Sequence, residues 1–250
     1  MKISAVVITH NEENNILACL ESIRWVDEII VLDTHSTDKT VELARAFGAK
    51  VYQETAWDGF GPQKNKAIQY ANGDWILSID ADERITPKLA KEISEQIKNH
   101  SEVEGILVPR LSSYCGKFLK HGGWWPDYVL RLCRKGRGVF SDNLVHEKLL
   151  VSGATIKLKN HIIHYSFENF EQVLGKIDKY SSLGARQLVL RGKTYGLGAA
   201  LLHALSTFLK TYLLKAGFLD GQYGLMLAIS NAEGTYYKYL KVMLLQKSDK

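Results

Sequence analysis

The sequence predicts an α/β fold, a mostly parallel sheet with helices on both faces and a helical extension at the C-terminus. Three observations carry this expectation. Short apolar runs alternate with helical patterns over residues 1–110, as they do when helices form the crossovers of a parallel sheet. Several of those runs end on acidic or polar residues, at the strand ends where ligands of such sheets bind. From about residue 195 the chain changes to apolar stripes at helical spacing.

Each element has its own signal. Ile3 to Thr9 reads as a buried strand. It meets His10-Asn11-Glu12-Glu13 with no small-residue cleavage site, so it is not expected to be a signal peptide. Ile16, Leu17, Leu20 and Ile23 recur at helical spacing. Glu28 to Leu32 is a second strand, followed by a polar turn and a helix carrying Val41, Leu43, Ala44 and Phe47. Lys50 to Tyr52 is a short third strand, Lys64 to Ala71 a helix, and Trp75 to Ile79 a fourth strand. Leu89, Ile93 and Ile97 mark a helix that Thr86-Pro87 starts, and Ile106 to Arg110 is another strand. Residues 112–164 alternate short strands, glycines and aromatics, and a longer helix covers about 169–190. Leu201, Leu202, Leu205, Phe208, Leu209, Tyr212 and Leu213 then form one apolar stripe, with His203, Thr207 and Lys210 on another face. That stretch reads as too short and too interrupted to span a bilayer.

Composition bounds the function. At 250 residues, 46% hydrophobic and 24% charged, the chain suits one sizeable core rather than disorder. A net charge of +5 is too small to imply nucleic acid but fits phosphates or acidic lipid. Cys19, Cys115 and Cys133 are far apart without a CxxC pair, which disfavours disulfides or a thiolate zinc site and suits a reducing compartment. Gly59-Phe60-Gly61 lacks the third glycine of a dinucleotide fingerprint, and Gly192-Lys193-Thr194 lacks the upstream glycine of a P-loop.

The sharpest chemical feature is Asp80-Ala81-Asp82-Glu83 after the fourth strand. Alternation in an extended chain points Asp80 and Asp82 to one side. Two carboxylates so close need a cation between them, and Mg²⁺ or Mn²⁺ takes one or two carboxylates plus phosphate oxygens. The other reading is that these acids cap the next helix. Asp33 ends the second strand and suits a nucleobase N–H or a ribose hydroxyl, while Ser36, Thr37 and Asp38 suit a turn and cap. Thr9, Asn11 and Glu12 close the first strand, where they flank a base or, in the case of Asn11, cap the first helix.

Together these segments resemble family 2 glycosyltransferases. Thr9-x-Asn11-Glu12, Asp33 with Ser36-Thr37-Asp38, Gly61-x-x-Lys64-Asn65-x-Ala67, and Gly73-Asp74-Trp75 leading to Asp80-x-Asp82-Glu83 follow that family's motifs in order. Thr34 and His35 stand where the family often has Asp and Gly, so no second base-contacting acid is assigned. Arg131-Leu132-x-Arg134, Val145-His146-Glu147 and Gly217-Phe218-Leu219-Asp220-Gly221 extend the likeness to lipopolysaccharide core glucosyltransferases. The resemblance implies a GT-A, Rossmann-like fold. Residues 1–110 are then the nucleotide-sugar-binding half, 111–190 the acceptor-binding half, and 191–250 an amphipathic helical region.

It also implies inverting transfer of glucose from UDP-glucose to an inner-core heptose. Asp80, Asp82 and His164 are the expected ligands of Mg²⁺ or Mn²⁺, with His164 equally readable as a core histidine. Glu147 is the expected base and Asp127 the alternative. Lys64, Arg131, Trp124 and Trp125 join the substrate-binding set, although a basic cluster (Arg131, Arg134, Lys135 and Arg137) also suits a solvated face and aromatic pairs also suit a core. The C-terminal region holds six lysines against three acids over residues 196–250, which suits an anionic membrane surface on the cytoplasmic side, or else a helical pair or dimer contact. Two rivals remain: a nucleotidyltransferase, which lacks its glycine-rich N-terminal loop here, and a nucleotide-sugar-binding scaffold without catalysis.

Overall fold

The computed structural model describes residues 1–141 and 147–248. In chain order the elements are β1 (Ile3–Thr9), α1 (Ile16–Ser22), β2 (Glu28–Thr34), α2 (Thr40–Phe47), β3 (Lys50–Glu54), α3 (Phe60–Gln69), β4 (Trp75–Ser78), β5 (Glu83–Ile85), α4 (Pro87–Asn99) and β6 (Gly105–Tyr114). There follow β7 (Lys117–Phe118), β8 (Asp127–Arg134), β9 (Gly138–Phe140), β10 (Leu149–Val151), β11 (Thr155–Lys157), β12 (Ile162–Phe167), α5 (Phe170–Leu190), α6 (Leu197–Leu209) and α7 (Gln222–Ser248). A π-helical turn, Lys210–Leu214, prolongs α6, and a 3₁₀ turn, Gly217–Asp220, precedes α7. The chain forms two compact units, residues 1–110 with 128–164 and residues 111–127 with 165–250. Residues 128–164 pack with the first unit.

In the first unit the sheet runs β3-β2-β1-β4-β8-β6-β12-β5. β3, β2, β1 and β4 are parallel neighbours, as the strand–helix alternation requires, and antiparallel pairing enters at β8. β1 is buried at six of its seven positions, which is why its sequence is continuously apolar rather than alternating. Ile16, Cys19 and Leu20 of α1 and Leu89, Ile93 and Ile97 of α4 seal one face. Thr86 caps α4 by accepting the Leu89 N–H at 3.2 Å, with Pro87 in the first turn.

The edge where β1, β2 and β4 begin is latched by polar groups. Glu28 accepts from Lys50 at 2.7 Å, from the Ser4 hydroxyl, and from the Asn72 backbone N–H at 2.8 Å. Gly73 donates to Ser4 Oγ at 2.7 Å. A Cβ on Gly73 would lie 2.6 Å from the Ser4 backbone nitrogen, so only glycine fits between α3 and β4 here.

Two registers place the site. The β4–β8 pairing sets Leu77 opposite Leu132, which brings Arg131 to the carboxyl end of β4. The β5–β12 pairing sets Glu83 opposite His164, which brings His164 beside Asp82.

The second unit is built on α5, α6 and α7 with the loop 111–127. Its core joins Tyr114, Leu119, Val173 and Leu227, and the Tyr114 hydroxyl lies 2.8 Å from Ser230 Oγ. Asp220 clamps the loop: its carboxylate accepts from the backbone N–H groups of Lys120 (3.1 Å) and His121 (2.8 Å), and lies 3.0 Å from His121 Nδ1. The Gly122 N–H adds a bond to the Lys215 carbonyl at 2.9 Å. The expectation that the terminal stripe is too short to span a bilayer needs correction. Residues Leu197–Leu214 form an uninterrupted helix that is long and apolar enough to do so by length and composition, because the π-helical turn continues α6 through Lys210.

Candidate active site

Lys64, buried on α3, is the hub of a charged cluster at the end of β4. Its ammonium lies 2.8 Å from Asp80 Oδ1 and 3.0 Å from Glu147 Oε1. Arg131 contacts the other Asp80 oxygen at 2.6 Å and also pairs with Glu83, which is fully buried and has Arg110 at 3.5 Å. Three cations and three carboxylates thus alternate through contact.

Burial alone would discharge Lys64, but Asp80 and Glu147 more than offset it and hold its pKa above the ordinary range. Burial likewise opposes the Asp80 carboxylate, yet Arg131 and Lys64 keep its pKa well below the usual range. Arg131 is held charged against burial by Asp80 and Glu83. Desolvating so many charges is costly for stability alone, and such clusters in buried settings mark functional sites. Arg131 Nε is buried with no acceptor among the described residues, a donor that an anionic oxygen would satisfy.

Asp80 and Asp82 do not share a side, contrary to the expectation from strand alternation. β4 ends at Ser78, and the Glu83 N–H bonds the Asp80 carbonyl at 2.9 Å, closing a tight turn through Ala81 and Asp82. The Glu83 side chain closes it further by accepting the Asp80 N–H at 3.2 Å. Asp80 consequently faces Lys64 and Arg131, whereas Asp82 Oδ2 lies 3.2 Å from His164 Nε2.

Among the described residues no group of three or more His, Cys, Asp or Glu side chains is placed to hold a metal. The Asp82–His164 pair still fits one. Its separation matches the about 3 Å between neighbouring ligands on an octahedral ion with bonds of about 2.1 Å. Both side chains are partly open to solvent, so remaining ligands can come from phosphate and water. Glu12 stands close by. Burial, and then the Asp82 and Asp38 carboxylates, raise its pKa despite a hydrogen bond from Asn15.

The rim beyond β1 and β2 is built from the remaining predicted residues. Asp33 is fully buried and accepts from Thr9 Oγ1 at 2.9 Å, from the Ser36 hydroxyl, and from the Ser36 N–H at 3.1 Å. Asn11, at φ 55°, accepts the Thr37 N–H at 2.8 Å and donates its own N–H to Ser36. Asp38, expected to cap α2, lies one residue before the N-cap Lys39; it accepts the Thr40 N–H at 3.0 Å and ties in the Glu13 N–H. Gln63, which sequence reasoning missed, donates to Thr34 Oγ1 at 2.7 Å.

The α3 motif is legible in contacts too. Asn65 makes two hydrogen bonds with the backbone of Phe140, and the Lys64 ammonium sits 5.3 Å from that residue's ring centre.

Other predicted residues fall elsewhere. Of the basic cluster, only Arg131 joins the site. Arg134 donates to the carbonyls of Val103 and Ser101 and covers the Trp75 ring, a packing role, and Arg137 pairs with Glu104 at 3.4 Å. Trp124 packs against Tyr114 at 5.7 Å between ring centres, within the second unit's core, while Trp125 and Asp127 are half-buried in that unit. Val145 and His146 lie outside the described residues. Glu83, quoted in the Asp80-x-Asp82-Glu83 motif without a role of its own, pairs with Arg131 and Arg110, and Arg110 was missed because a lone strand arginine carries no signal.

A family model described as glycosyl transferase family 2 matches residues 4–144. A relative from Rickettsia typhi, called an uncharacterized glycosyltransferase, is 30% identical over 253 residues, covering 96% of this chain and 86% of the relative. The lipopolysaccharide core biosynthesis glycosyltransferase LpsC of Rhizobium meliloti is 27% identical over 257 residues, covering 96% and 93%. Among solved structures, S. aureus TarS 1–349 in complex with UDP-GlcNAc aligns with a TM-score of 0.52 at 16% identity, over 100% of this chain and 93% of that one. That last likeness is one of fold.

Proposed function

The chain belongs to glycosyl transferase family 2, and from that premise we propose that it moves a hexose, glucose from UDP-glucose, with inversion onto an inner-core heptose of lipopolysaccharide. The observation that carries this reading is the convergence of Lys64, Asp80, Arg131 and Glu147 at the end of β4, next to the Asp82–His164 pair. The kinship with LpsC supports the core acceptor.

Inverting transfer is a single displacement at the anomeric carbon. It requires a base for the acceptor hydroxyl and positive charge for the leaving diphosphate. Asp82 and His164 would hold Mg²⁺ or Mn²⁺, which when bound would supply positive charge to the leaving diphosphate. Arg131 adds a fixed cation and the unpartnered Nε–H. Lys64 holds one Glu147 oxygen, orienting the carboxylate to take the acceptor proton. That contact favours Glu147 over Asp127 as the base. Asp80, gripped by Lys64 and Arg131, orients both cations and offers its partly open carboxylate to the donor.

Thr9, Asn11, Glu12 and Asp33 form the rim for the uridine, preorganised by the bonds across β1 and β2. Trp125 suits an acceptor sugar face, with Trp124 supporting it from the core. The enzyme works peripherally on the inner face of the bacterial inner membrane, where a lipid-borne core acceptor is presented.

UDP release from a panel of UDP-sugars, with and without lipopolysaccharide core acceptors, tests the reading when the product anomer is assigned by NMR. A β-linked product from UDP-glucose is expected. Retained configuration, or no transfer to any core acceptor, contradicts it.

A further inference from the structure

Residues 179–219 contain no aspartate or glutamate but six basic residues: Lys179, Arg186, Arg191, Lys193, Lys210 and Lys215. The same stretch carries an open apolar face. Leu202, Leu205, Leu209 and Leu213 recur at three- and four-residue spacing, on one side of α6 and its π-helical extension, and they are 70, 56, 41 and 53% exposed. The opposite side is committed to α7. Ala200 and Thr211 are buried there, His203 stacks on Tyr239 at 4.1 Å, and Thr207 Oγ1 lies 3.2 Å from Thr235 Oγ1.

We infer that this leucine face lies flat in the surface of an anionic bilayer, with the flanking lysines and arginines on lipid phosphates. Exposed apolar area on α6 and basic charge in the segments that flank it are the two terms that hold an interfacial helix. The alternative occupants fit less well. Leu197–Leu214 is long and apolar enough to span, but crossing would strip its polar side from α7 or carry Glu233, Lys238 and Lys241 of α7 into lipid. A second copy of the chain, stacked on the same face, would set basic residues against basic residues with no acid in 179–219 to pair them.

This inference rests on the peripheral location proposed above, and its test uses neither donor nor acceptor, so the two can fail separately. The whole protein is sedimented with vesicles of phosphatidylcholine alone or mixed with phosphatidylglycerol. Binding to the anionic vesicles is expected to be at least about tenfold tighter and to weaken with salt. The double substitution Leu205→Glu with Leu209→Glu should lose at least about tenfold of that binding while circular dichroism is unchanged. Arg191→Glu with Lys193→Glu, which leaves the apolar face intact, should weaken the preference for anionic vesicles. Equal, salt-resistant and carbonate-resistant binding to both vesicles overturns the inference in favour of a spanning helix. Absence of vesicle binding, with a dimer in light scattering, overturns it in favour of self-association.

Discussion

Lys64 and its two carboxylates concentrate the chemistry into a few ångströms. If Lys64 orients Glu147 as the base, Glu147→Gln removes the proton acceptor and leaves the donor rim untouched. Sugar transfer should fall by about 10²- to 10⁴-fold with UDP affinity unchanged, as calorimetry with UDP would read. A comparable loss from Asp127→Asn alone would shift the base to that residue.

A second residue carries a pH prediction. Burial raises the Glu28 carboxyl, but hydrogen bonds from Lys50, Ser4 and Asn72 prevail and hold its pKa down to about 2. A depressed carboxyl stabilises the fold fully above its unfolded value, and that contribution is lost as pH falls through the folded value. Glu28→Gln should therefore cost on the order of 3 kcal/mol at neutral pH, and the gap from wild type should close between about pH 4.5 and 2 in urea titrations. At this scale the sequence was partly legible. Lys64 and Glu147 stood out through motifs, but the separation of Asp80 from Asp82 depends on a turn closed by the Glu83 backbone and side chain, which residue spacing does not encode.

Among elements, continuous apolar runs located β1, β2 and β4, which are buried on both faces, and helical periodicity located α4 and α5. The three-residue β5 was illegible, since its existence depends on pairing with β12 far along the chain. The Gly217–Gly221 motif gains a physical role from the second unit. Asp220 fixes the loop that leads through Gly122 and Gly123 to Trp124 and Trp125, with the acid accepting two backbone N–H groups and facing His121. Asp220→Asn keeps the size but loses the charge and one acceptor. The expected outcome is an acceptor KM raised several-fold with acceptor-independent UDP release unchanged. An equal loss in both activities would mean that Asp220 serves only global stability.

For the whole molecule, the first unit gathers Lys64, Asp80, Arg131 and Glu147 from four separate stretches: α3, the β4–β5 turn, β8 and the chain that follows β9. That gathering explains why motifs spread over residues 9–147 belong to one function. Residues 128–164 join the same unit because β8 and β12 are pinned to the first sheet by pairing with β4 and β5.

In the proposed reaction this site transfers sugar from a nucleotide donor with a divalent ion held by Asp82 and His164. The most direct measurement is UDP release from UDP-glucose in the presence of a core acceptor, by metal-stripped enzyme titrated with Mn²⁺, for wild type, Asp82→Ala and His164→Ala. EDTA is expected to abolish wild-type activity and Mn²⁺ to restore it, with both variants needing at least about tenfold more metal or remaining inactive. Full activity in EDTA, or Mn²⁺ titrations of both variants that overlay wild type, would contradict it.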